Sequence, residues 1–155
     1  MLIQNHKAFT MVELVFVIVV IGILSAVAIP RFAVNRDDAV MAKAKSEVAS
    51  IRSAVSTQRQ KLILSGSFAP ITSLSKATST GYDSPIFDGI NGDGTRPIFE
   101  YGLQSCSNGA RGCWYTADNT TYTYKHPVNG TADFNLTNSQ FNCDTSDQTC
   151  LDLTQ

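Results

Sequence analysis

Hydrophobic and polar positions follow three successive regimes along the chain. From Phe9 to Ile29 the sequence is apolar for 21 residues, broken only by Thr10, Glu13 and Ser25. Coiled as a helix, such a run spans about 30 Å, the thickness of a bilayer core. After Pro30 the apolar positions thin out to Val40, Ala44, Val48, Ile51, Val55 and Leu62, with Lys43, Lys45, Glu47, Arg52, Arg59 and Lys61 largely between them. That spacing predicts an amphipathic helix with one face covered, and Gly66 is placed to end it. From residue 97 the period falls to two, and Ile98–Tyr101, Cys113–Thr116, Thr121–Lys125 and Ala132–Leu136 read as strands. Asn129-Gly130, between the last two, is a hairpin signal. Phe134, Leu136 and Phe141 read as sheet-packing residues.

The pattern therefore divides the chain into a short leader (1–8), a membrane or filament-core helix (9–30), an amphipathic helix (31–65), a turn-rich connection (66–96) and an antiparallel sheet region (97–155). The fold class expected is α+β, a long helix packed against an antiparallel sheet. At 155 residues there is room for one globular domain and an appendage.

Composition narrows the function. The net charge is −1 and the 12 Lys and Arg are scattered, so no nucleic-acid footprint is expected. Cys106, Cys113, Cys143 and Cys150 lie in the polar half as two pairs, each enclosing six residues. This pattern points to disulfides in an oxidising compartment rather than to zinc. Local pairing within each pair is preferred among the three connectivities. His126 stands without a nucleophile arrangement around it in the sequence, and no enzyme is expected.

Glu13 is the informative anomaly. A carboxylate near the end of a membrane helix costs a few kcal/mol on insertion scales, and such residues usually have a partner and a role. Two ordinary readings of the apolar run, a secretory signal cut near Ala26 or Ala28 and an unprocessed single-pass anchor, leave Glu13 unexplained.

The segment Lys7-Ala8-Phe9-Thr10-Met11-Val12-Glu13-Leu14, followed by the apolar run, resembles the class III signal of type IV pilins and of the pseudopilins of type II secretion. The resemblance implies cleavage by a prepilin peptidase between Ala8 and Phe9 and N-methylation of Phe9. Ala8 stands where the family most often has glycine. It implies further that Glu13 meets the terminal amine of a neighbouring subunit, and that Gly22 and Pro30 weaken the helix in the filament. The implied partners are like subunits in a helical filament, the peptidase, an inner-membrane assembly platform and the inner membrane itself, with nucleic acid only for a DNA-uptake pilus. The implied location is a single pass through the inner membrane with a periplasmic head, then a periplasmic or cell-surface filament. Within the family a pseudopilin is favoured slightly over a pilin, although the Pro-Trp-Gly-Asn-Pro-like stretch of major pseudopilins is absent.

Two smaller signals sit in the polar half. Asp88, Asn91 and Asp93 invite a calcium loop, as major pseudopilins of type II secretion bind calcium. Ile90, however, occupies a ligand position of an EF-hand-like loop and no glutamate closes it, so solvated turns are preferred and no cofactor is expected. Asn119, Asn129 and Asn135 each open an Asn-x-Thr sequon, and Asp133 precedes Asn135 by two residues.

Overall fold

The computed structural model describes residues 9–128 and 130–155, with backbone only for 30–35. The chain separates into two compact units at Arg36 and Asp37. Helix α1 (Met11–Leu64) supplies the described helix of the first unit and the long helix of the second. Its backbone stays helical through Pro30. It ends in a Schellman motif, in which Gly66 at φ +84° donates to the Ile63 carbonyl at 2.9 Å and Ser67 donates to that of Leu62 at 2.9 Å. Only a residue tolerant of positive φ closes a helix this way, which is why the helix stops at Gly66.

In the second unit α1 buries Ala44, Val48, Ile51 and Val55, a stripe of three- and four-residue steps. The connection after it contains β1 (Pro85–Ile86), which pairs antiparallel with β2 (Leu103–Gln104). The main sheet follows as an antiparallel meander of β3 (Cys113–Thr116), β4 (Thr121–Lys125), β5 (Thr131–Thr137) and β6 (Gln140–Cys143). In its register Trp114 faces Tyr124, Tyr122 faces Phe134 and Leu136 faces Phe141. Strict alternation puts Trp114, Tyr122, Tyr124, Ala132, Phe134 and Phe141 on the buried face, while Thr121, Thr123, Asp133 and Asn135 point outward. Chain-terminal α2 (Gln148–Thr154) is capped by Asp147 and buries Cys150 and Leu153.

The core is largely aromatic. Phe87 stacks on Tyr122 at 5.0 Å and meets Trp114 and Phe141 edge-on at 5.5 and 6.1 Å. Each such pair adds about 0.5–1.5 kcal/mol beyond the area it buries. Phe87 holds this place with φ +61°, a conformation costly for a bulky residue. Tertiary packing fixes it there, with its N–H bonded to Ser75 Oγ at 3.0 Å. Gly112 is likewise dictated by its surroundings, since at φ +73° an added Cβ would lie 2.7 Å from Val40 Cγ1.

Five elements differ from the sequence reading, β1 and β2 among them, neither of which was expected. Ile98–Tyr101 is a bend, not a strand. Ile98 and Phe99 both turn toward the core as consecutive residues, which a period of two does not allow, and Ile98 N–H closes onto the Phe87 carbonyl at 3.2 Å. Neither β6 nor α2 was expected. The β4–β5 hairpin is closed by Lys125 opposite Thr131 and by His126 N–H on the Gly130 carbonyl at 3.0 Å, with Asn129 outside the described residues.

Candidate functional site

The chemistry-bearing segment begins at Phe9. Residues Met11–Ile29 have a mean hydropathy of 2.9, and none of this stretch is buried within the chain. Phe9, Phe16 and Ile29 are 76%, 68% and 69% exposed. A soluble fold does not leave so continuous an apolar surface unpartnered, so this helix is built to be covered by lipid or by other chains.

Thr10 starts the helix. Its Oγ1 accepts the N–H of Glu13 at 3.2 Å and its carbonyl accepts the N–H of Leu14 at 3.1 Å. Thr10 is thus the N-cap, and Glu13 stands three residues on, in the first turn. Thr-x-x-Glu before an apolar run is a capping-box sequence, a signal that was readable but went unread beside the charge of Glu13. The arrangement does two things. It satisfies an otherwise orphaned donor at the helix end, and it sets a carboxylate where the helix dipole favours negative charge. The Glu13 side chain is exposed.

Ala8 lies outside the described residues, so the expected scissile bond is placed only on its Phe9 side. Gly22 has nothing within 4 Å of an added Cβ, so its small size fills no need inside this chain. The side chain of Pro30 falls outside the description.

The remaining candidates lie in the second unit. Disulfides join Cys106 to Cys113 and Cys143 to Cys150, with Cα–Cα distances of 5.4 and 5.9 Å. The first ties the segment before β3 to that strand and the second ties α2 to β6. Asp88, Asn91 and Asp93 each bind protein donors. Asp88 accepts from Lys76 N–H at 2.9 Å and Ser79 Oγ at 2.8 Å, with Lys76 Nζ at 3.6 Å. Asn91 Oδ1 accepts from Thr72 N–H at 2.8 Å, and Asp93 from Thr95 N–H at 2.9 Å. They stitch the connection to itself and do not converge on one point. The Thr95 N–H, with the Thr95 hydroxyl, also holds the Asp93 carboxyl below its ordinary value. Asp118 is lowered similarly by the N–H groups of Thr121 and Thr120.

Of the sequon asparagines, Asn119 is buried and its Nδ2 donates to the Lys76 carbonyl at 2.8 Å, so the nitrogen a glycan would need is used inside the fold. Asn135 is exposed on the outer face of β5, and Asn129 is outside the described residues. His126 Nδ1 accepts from Val128 N–H at 3.2 Å in a turn. Trp114 Nε1 donates to Glu47 Oε2 at 2.9 Å, tying sheet to helix.

Comparison with known proteins bears on the amino-terminal segment. The family described as the prokaryotic N-terminal methylation motif matches residues 3–29. A curated relative, the type IV narrow pilus major component PilA5 of Thermus thermophilus, is 50% identical over 51 residues. The amino-terminal segment of the chain is thus similar to that of a type IV pilin. The similarity to PilA5 covers 33% of this chain and 44% of that relative, less than half of either. No solved structure matches the chain. The α+β architecture and the exposed apolar helix accord with that similarity.

Proposed function

We propose that the chain is a structural subunit of a type IV pilus-like filament. In this reading a prepilin peptidase cuts between Ala8 and Phe9 and methylates the new amine. Helix Met11–Ile29 then holds the subunit in the inner membrane with its head in the periplasm, and an assembly platform passes it into a filament whose core is made of these helices. The observation that carries the reading is the exposed apolar helix bearing one carboxylate, Glu13, in its first turn. Packed among copies, the carboxylate is removed from water and needs a cation. The Phe9 amine of a neighbour supplies it, since methylation leaves the amine charged.

The finer reading, a pseudopilin of type II secretion, and its alternative, a pilin of an external fibre, are equally supported. The relative is named a pilus component. Shearing cells separates the two, because long fibres containing the chain favour the pilin, and a secretion defect on deletion without such fibres favours the pseudopilin.

The filament reading itself is tested by Glu13→Ala. Membrane insertion should be retained and eased, because a carboxylate costs free energy within a membrane helix. Incorporation into filaments should fall at least about tenfold, because removing one member of a buried pair strands the other charge. Unchanged incorporation of the variant would refute the pairing.

A further inference from the structure

Two stretches of the head carry opposite charge. Helix residues 43–61 hold Lys43, Lys45, Arg52, Arg59 and Lys61 against Glu47 alone, whereas residues 76–155 hold nine carboxylates against four Lys and Arg. On the helix side lies an open trough of about 620 Å³ between one face of α1 and the β5–β6 turn at 138–142. Arg52, Ser56, Arg59 and Gln60 line its helical wall and amide side chains its other wall. Among the described residues, no carboxylate lines it.

Both guanidiniums are held in place by neutral partners. Arg52 Nε donates to the Phe141 carbonyl at 3.0 Å, on the outer edge of β6, and the terminal nitrogens of Arg59 donate to the carbonyls of Phe68 and Ala69. The first bond also covers a free edge of the sheet, the kind of edge that otherwise pairs with stray strands. Among the described residues, the ion pairs are Lys43–Glu47 and Lys76–Asp88, so neither arginine charge is compensated. Seven residues apart, the two lie on one helix face about 10.5 Å apart along the axis. Oriented guanidiniums with spare N–H groups are suited to carboxylates, which they take in a paired geometry.

We propose that this trough is a contact site between heads, in which Arg52 and Arg59 receive carboxylates from the acidic loop-and-sheet side of a second copy of the chain. The proposal rests on the filament reading above and adds to it. The helix core supplies association through apolar area, while the head contact fixes which faces meet, the role in which charge complementarity is most effective.

The test uses the full chain expressed in cells. A photo-crosslinking residue replaces the exposed Gln140 at the trough rim, and the double variant Ser56→Asp/Gln60→Glu places carboxylates in the trough while leaving both arginines and their carbonyl bonds intact. Both altered positions are exposed, so thermal unfolding should match the unaltered protein. Crosslinks should map to residues 76–155 of a second copy, and their yield should drop at least about tenfold in the acidic variant and fall as salt is raised. If filaments form but the crosslinks map elsewhere, or the acidic variant crosslinks as well as the unaltered chain, the trough assignment is overturned and the filament reading stands. If the unaltered chain forms no filament, the filament reading falls and the trough assignment with it.

Discussion

Replacing Tyr122 with Phe removes one oxygen from the centre of the head, and the structure says what that oxygen does. The hydroxyl accepts the N–H of Leu74 at 2.7 Å and donates to the carbonyl of Asn119 at 2.9 Å, in a residue with no exposed surface. It thereby fastens the connection after α1 to the main sheet. Tyr122→Phe leaves a backbone donor and a backbone acceptor without partners in the core, at about 1–3 kcal/mol for each such group. Some relaxation is expected, so the loss should be about 2–4 kcal/mol. Tyr124 is the internal control. It is equally buried, but its hydroxyl has no hydrogen-bond partner among the described residues. Tyr124→Phe should therefore change stability by less than about 1 kcal/mol, in either direction. The assay is urea unfolding of the full chain in mild detergent, disulfides intact, followed by fluorescence of the single Trp114, itself buried in the same aromatic cluster. If the two variants lose the same stability, hydroxyl bonding does not hold the connection in place and the reasoning is refuted.

Two further predictions concern pH and the helix start. Burial, with the nearby Glu47 charge adding to it, pushes the Tyr124 phenol up to about 12, and burial raises Tyr122 as well. A group whose folded value lies above its unfolded value near 10 stabilises fully below about pH 10 and ceases to do so as pH rises toward the folded value. Stability should thus decline between about pH 10 and 12, with late phenols in a near-ultraviolet titration that become one fewer in Tyr124→Phe; simultaneous ionisation of all tyrosines near 10 would contradict this. Thr10→Ala should cost about 1 kcal/mol at the N-cap. Hydrogen exchange at the Glu13 amide in micelles should then quicken about fivefold and return to normal in Thr10→Ser, whereas equal rates in all three would show that Thr10 does not cap the helix.

Much of the fold was legible in the sequence because it rests on repeated local signals. The 21-residue apolar run announces itself by its length, while the stripe from Ala44 to Val55 and the alternation in β3, β4 and β5 each repeat a period, and in these burial follows the period. What escaped depends on contacts that no local period encodes. The bend at Ile98–Tyr101 is bonded through its Ile98 N–H to Phe87, which adopts a positive φ that its own sequence neighbourhood does not announce. Strand β6 is four residues with a single buried side chain, Phe141, too short to show a period. Helix α2 announced itself only through the Asp147 cap and the buried Cys150 and Leu153. At the amino terminus the charge of Glu13 was readable because a carboxylate in an apolar run is anomalous. Thr10 was missed because a threonine there looks like an ordinary interruption until its bond to the Glu13 amide is seen.

The mature amino terminus tests the central claim most directly. Intact mass and terminal sequencing of the protein recovered from membranes or filaments should show a chain that begins at Phe9, lacks the eight residues before it and carries one methyl group on its amine. A chain that still begins at Met1, or one cut after Ala26 or Ala28 so that the apolar helix is gone, would contradict the account.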